Sequence, residues 1–146
     1  MCSCCKTRKI IKSDKAPKAI GPYSIGVIAG HMIYSSGQIG LDPVSQTLVE
    51  GGIEAETRQA LENIKYVLED SGSGLEKVVK TTVFLKDMND FARMNGVYGE
   101  YFQENPPART TISVVALPKG GAVEIEVVAM RECDCTDNKK DGCCNG

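Results

Sequence analysis

Between Ile53 and Leu68, apolar side chains recur at Ile53, Ala60, Leu61, Ile64, Val67 and Leu68, one stripe at i, i+3, i+4 spacing. No other feature constrains the chain as much, because an amphipathic helix must bury that stripe against a second layer. Gly72 and Gly74 follow and stop the helix, as C-terminal glycines do. VVKTTVFL (78–85) then has the β-branched composition of a strand. A second helix opens with Asp87 or Asn89 as its cap and runs through Phe102, turning Phe91, Met94, Val97, Tyr98 and Phe102 inward. Pro106-Pro107 ends it.

Strands are also predicted at Lys9–Ser13, Ile25–Ala29, Met32–Gln38, Thr110–Val115 and Val123–Met130. Gly30-His31 makes a tight turn between the second and third, and LPKGGA joins the last two. The order is β-β-β-α-β-α-β-β, an α+β layer sandwich with two helices on one face of a six-stranded mixed sheet. The opposite face carries Ile and Val with nothing of its own to bury them, so the chain is expected to oligomerise.

A chain of 146 residues is one domain of ordinary size, able to bury roughly 70% of its unfolded surface without disulfides or metal. The net charge is −2 and no block of like charge stands out, against the basic stripe that DNA or RNA binding favours. No apolar run approaches the ~20 residues of a membrane-crossing helix. MCSCCKTRK lacks the apolar centre of a secretory signal. A cytoplasmic protein is expected. All seven cysteines lie at the ends, Cys2, Cys4 and Cys5 before the body and Cys133, Cys135, Cys143 and Cys144 after it. The division is therefore a tail over 1–8, a folded body over 9–131 and a polar, disordered tail over 132–146. The tail cysteines suit soft-metal binding, acylation or oxidant sensing, or no site function at all.

Much familiar chemistry is missing from the body. A single histidine in a turn argues against a nucleophile–histidine pair, and no body cysteine exists to serve as nucleophile. No phosphate-binding glycine loop and no metal-ligand spacing appear. What remains is Arg109, Glu124, Glu126, Tyr23, Asn95 and the stretch YSSGQIG. Arg109 stands at the mouth of a strand, where a guanidinium either reaches into water or grips a carboxylate with two bonds. Glu124 and Glu126 share a strand face, either a solvated face or a pair of working carboxylates. Gly37 marks a bulge or a close backbone approach. Tyr23 anchors its loop or a ligand, and Asn95 sits on a solvated turn or in a site. A simple hairpin of 110–115 with 123–130 would put Arg109 opposite residues near 128–130, too far from Glu124 for one small ligand. Either those strands are not neighbours, or a site using both draws on two chains.

The segments AIGPYS (19–24), YSSGQIG (34–40), VVKTTVFLKDMNDFARMN (78–95), PPARTTISV (106–114), ALPKGG (116–121) and VEIEVVAM (123–130), in this order, resemble the RidA/YjgF family of reactive-intermediate deaminases. The resemblance implies a chorismate-mutase-like fold, a homotrimer with sites between subunits, and hydrolysis of 2-imino acids without a cofactor. It also places a carboxylate-binding role on Arg109 and a water-positioning role on Glu124. Tyr23, Ser36, Gly37 and Asn95 fall on substrate-binding positions, and Thr111 stands where relatives often carry cysteine. Ile25 replaces a common glutamine. Rival functions are an endoribonuclease or translation inhibitor, and a non-catalytic binder of 2-oxo acids.

Overall fold

Strict alternation along Val123–Met130 organises the molecule. Val123, Ile125, Val127 and Ala129 are buried while Glu124, Glu126 and Val128 face the other way, as the two-residue period of a strand requires. The computed structural model describes residues 8–132. The cysteine-bearing stretches 1–7 and 133–146, on which the tail expectations fall, lie outside the described residues.

Seven strands form one mixed sheet: β1 (Arg8–Ile10), β2 (Gly26–Ala29), β3 (Met32–Ser35), β4 (Gln38–Ile39), β5 (Val78–Leu85), β6 (Ala108–Ser113) and β7 (Val123–Met130). Their lateral order is β1-β2-β3-β7-β5-β6, with β4 also on β7. Only β5 and β6 run parallel; the other pairs are antiparallel. Two helices, α1 (Gly52–Glu69) and α2 (Phe91–Tyr101), pack on the sheet and on each other. The expected stripe of α1 is wholly buried, each large aliphatic side chain there contributing about 1.5–3 kcal/mol. Beyond α1 the Ser73 N–H donates to Leu68 O, and Gly72 takes a φ of +74°, the left-handed conformation that glycine adopts at little cost.

Three expectations are corrected. The first strand is shorter and earlier than Lys9–Ser13: after Ile10 the chain turns inward, burying Ile11. The last-but-one strand begins at Ala108 rather than Thr110 and ends at Ser113. The sheet has seven strands, not six, because Met32–Gln38 is broken in the middle. The Ser35 hydroxyl accepts the Val127 N–H at 2.9 Å, and the Ser36 N–H turns away to Ile25 O, also at 2.9 Å. Three residues, Ser35–Gly37, thereby oppose two, Glu126 and Val127. This is a β-bulge.

Strands β6 and β7 are not neighbours; β5 lies between them. The hairpin that made Arg109 and Glu124 incompatible in sequence does not exist.

Candidate active site

Separating those strands does not bring the two residues together. In the register of β5, Arg109 lies beside Thr81 and Glu124 beside Phe84. Laterally paired residues share a face, and residues three apart on one strand point oppositely. Thr81 faces the helices, its hydroxyl 2.7 Å from the Tyr98 hydroxyl of α2. Arg109 therefore projects to the helix side and Glu124 to the outer side.

On the helix side, the Arg109 guanidinium carbon lies 4.6 Å from the centre of the Tyr98 ring and 5.6 Å from that of Phe91. Stacking on aromatic faces suits the planar guanidinium and leaves its donors for another partner. No carboxylate of the described residues pairs with it. Asn95 lies on α2 between Phe91 and Tyr98 at helical spacing, and Thr111 shares the Arg109 face of β6. Asn95 Oδ1 and Thr111 Oγ1 are buried without a hydrogen-bond partner, a costly state unless something is held there. Burial pushes the Tyr98 phenol up, against the opposing pull of Thr81 and Arg109.

On the outer side a cleft of about 470 Å³ is lined by Tyr23, Ser36, Gly37, Glu124 and Glu126, with Lys18, Ile20, Ile25 and Pro118 among its walls. Gly37 leaves the space that the Glu124 carboxylate occupies, because a Cβ there would overlap it and push it aside. Of the two sequence readings of Gly37 the bulge is present, and the group packed against the glycine is the Glu124 side chain. Ser36 is fixed by its hydroxyl donating to Ser24 O at 2.5 Å. The Tyr23 hydroxyl accepts the Ile20 N–H at 3.2 Å, so this tyrosine anchors its own loop while lining the cleft. Desolvation, reinforced by the Glu126 carboxylate, raises Glu124 above the ordinary glutamate range. Ile25 is a buried cleft wall.

The seven candidate residues thus form two groups on opposite faces: Arg109, Asn95 and Thr111, and Tyr23, Ser36, Gly37 and Glu124. Sequence reasoning missed three contributors. Asn63, fully buried on α1, donates to Ile39 O and Leu41 O, tying the cleft floor to the helix. Lys18 lines the cleft from the loop before Tyr23. Glu56 carries a readable signal, a carboxylate inside the apolar stripe three residues after Ile53.

Residues 13–131 match the family model described as endoribonuclease L-PSP. The chain belongs to the RidA/YjgF family. It is 53% identical over 124 residues to the 2-iminobutanoate/2-iminopropanoate deaminase of Bos taurus, covering 85% of this chain and 90% of that one. A RutC family protein of Pyrococcus horikoshii is 50% identical over 125 residues, with 86% and 99% covered. The crystal structure of RidA from an Antarctic Psychrobacter superposes with a TM-score of 0.81 at 46% identity, spanning 84% of this chain and 98% of that one. In RidA/YjgF terms, the α+β sheet with its two helices is the family's own architecture.

Proposed function

We propose that this RidA/YjgF protein hydrolyses reactive 2-imino acids, such as 2-iminobutanoate and 2-iminopropanoate, to 2-oxo acids and ammonia. It does so in a homotrimer whose sites are each completed by two chains. The observation that carries this is the division of the candidate groups. The Arg109 group borders β6, an edge strand of the sheet, whereas the Glu124 group opens outward into the cleft. A second copy presenting its β6 edge to that cleft supplies what each chain lacks. Supporting the assembly, Ile10, Tyr34 and Met130 are about half exposed and Val115 fully so, apolar surface of the kind that subunits cover. The bovine relative's name supports the chemistry.

The substrate offers a carboxylate and an electrophilic C=N carbon. Arg109 holds the carboxylate through two parallel bonds and so fixes that carbon. Asn95 and Thr111 offer polar atoms beside it. Glu124 takes one proton from a water as the water oxygen bonds to the carbon and returns it to the nitrogen, so that C=NH becomes C–NH2. Glu124 then takes the proton of the new hydroxyl as C=O forms and delivers it to the nitrogen as the C–N bond breaks, expelling ammonia. A carboxyl raised by burial holds a proton more readily than an ordinary glutamate, which suits a group that must return the proton it has taken. The imine is already reactive, so positioning and a proton path suffice.

The experiment generates 2-iminopropanoate in situ and follows its lifetime. Wild-type protein shortens it and Arg109→Ala does not; unchanged turnover by that variant removes the assignment. A non-catalytic binder would saturate with ligand and leave the lifetime unchanged. The family model's name favours a second reading, RNA cleavage. Against it stand one histidine and a net charge of −2, which leave no histidine pair for transphosphorylation. RNA degradation persisting in repurified Arg109→Ala and Glu124→Ala proteins would support it.

A further inference from the structure

Glu56 is a carboxylate where α1 should be apolar. It is 8% exposed and forms no ion pair with a described cation. Burying a carboxylate is unfavourable unless hydrogen bonds replace water, so helix packing alone does not account for it; a methionine would serve the stripe better. Its Oε2 accepts the Ala122 N–H at 2.7 Å. The carbonyl of Ala122 in turn accepts the Lys86 N–H at 2.9 Å. Ala122 is thus held on both sides, directly before β7 and two residues before Glu124. Glu56 itself has little freedom, since a Cβ on Gly40 would stand 2.6 Å from its Cα. Helix α1 and the backbone just after β4 are in contact there.

Nothing else on α1 reaches the start of β7 by a side-chain hydrogen bond among the described residues. We propose that Glu56 is a positioning residue: through the Ala122 amide it fixes the first residues of β7 and keeps the Glu124 carboxylate lodged over Gly37. Its consequence for turnover rests on the deaminase reading; its geometry does not. The other titratable groups lining the cleft around Glu124 are Glu126 on β7 and Lys18 and Tyr23 on the preceding loop. None of them forms a hydrogen bond or ion pair with Glu56, so the link from position 56 to Glu124 runs through the Ala122 backbone.

The test compares Glu56→Met, which fills the stripe but accepts no hydrogen bond, with Glu56→Gln, which keeps the acceptor, in the full chain. NMR reads the Ala122 amide exchange and the Glu124 carboxyl titration, and steady-state kinetics separates kcat from KM. In Glu56→Met, Ala122 exchange rises about tenfold or more and the Glu124 midpoint falls toward that of a free glutamate. In the same variant kcat drops about tenfold or more while KM stays within about twofold, since the substrate's carboxylate grip is untouched. Glu56→Gln matches wild type throughout. An unchanged Glu124 midpoint in Glu56→Met, or equal losses in both variants, overturns the proposal. So does rapid Ala122 exchange in the wild-type protein, which needs no variant to fold. If wild-type protein fails to shorten imine lifetimes, the deaminase reading falls, and the NMR arms still decide Glu56.

Discussion

The carboxylate of Glu124 lies so close to the α-carbon of Gly37 that a single methyl group there would overlap it. Glycine at the bulge is the space in which the carboxylate sits. Gly37→Ala therefore displaces Glu124 while leaving the core, which is built on the other face, in place. Deaminase turnover should fall about a hundredfold, with far-UV circular dichroism unchanged. Retained turnover would mean that Glu124 does not act from this position.

Arg109→Lys keeps the charge but loses the planar fork and its stacking on Tyr98 and Phe91. With charge-assisted hydrogen bonds worth about 1.5–3 kcal/mol, kcat/KM should fall roughly tenfold to a hundredfold. Steady-state kinetics on a 2-imino acid generated in situ checks this.

Glu124 is raised by burial first and by Glu126 second. In the proposed reaction Glu124 abstracts a proton in its base form, so the acid limb of the rate profile should lie above that of an ordinary glutamate. Glu126→Gln removes a neighbouring anion, makes ionisation of Glu124 easier, and should move that limb to lower pH. A limb that does not move would remove Glu126 from the proton path.

The same shift has a sign for stability. A carboxyl raised in the folded state binds its proton more tightly there than in the unfolded chain. Its contribution is fully present below the unfolded value and is lost as pH rises through the folded one. Glu124→Gln should therefore raise the melting temperature at neutral pH, and the gain should shrink in acid. Calorimetry across that range reads it.

The layers of this fold were legible because burial writes a period into the chain. The stripe of α1 and the alternation of β7 each have one solution, and both were found. The break in Met32–Gln38 was not, since it depends on the Ser35 hydroxyl taking the place of a backbone acceptor for Val127, which no period records. Arg109 and Glu124 could be singled out as residues, yet their placement on opposite faces follows from lateral strand order. The insertion of β5 between β6 and β7 is a long-range choice invisible to local pattern. Glu56 shows the reverse: its charge breaks the helical stripe in plain view, but its partner, the Ala122 amide, is 66 residues away.

Subunit complementation tests the two-chain site most directly. Arg109→Ala and Glu124→Ala proteins, each inactive alone, are unfolded together, refolded as an equimolar mixture and assayed for loss of 2-iminopropanoate. If each site takes its arginine from one chain and its glutamate from another, random assembly restores about a quarter of the sites, and activity returns to that fraction of wild type. If the mixture stays as inactive as its components although mixed oligomers form, the site is not shared between chains and the account is contradicted.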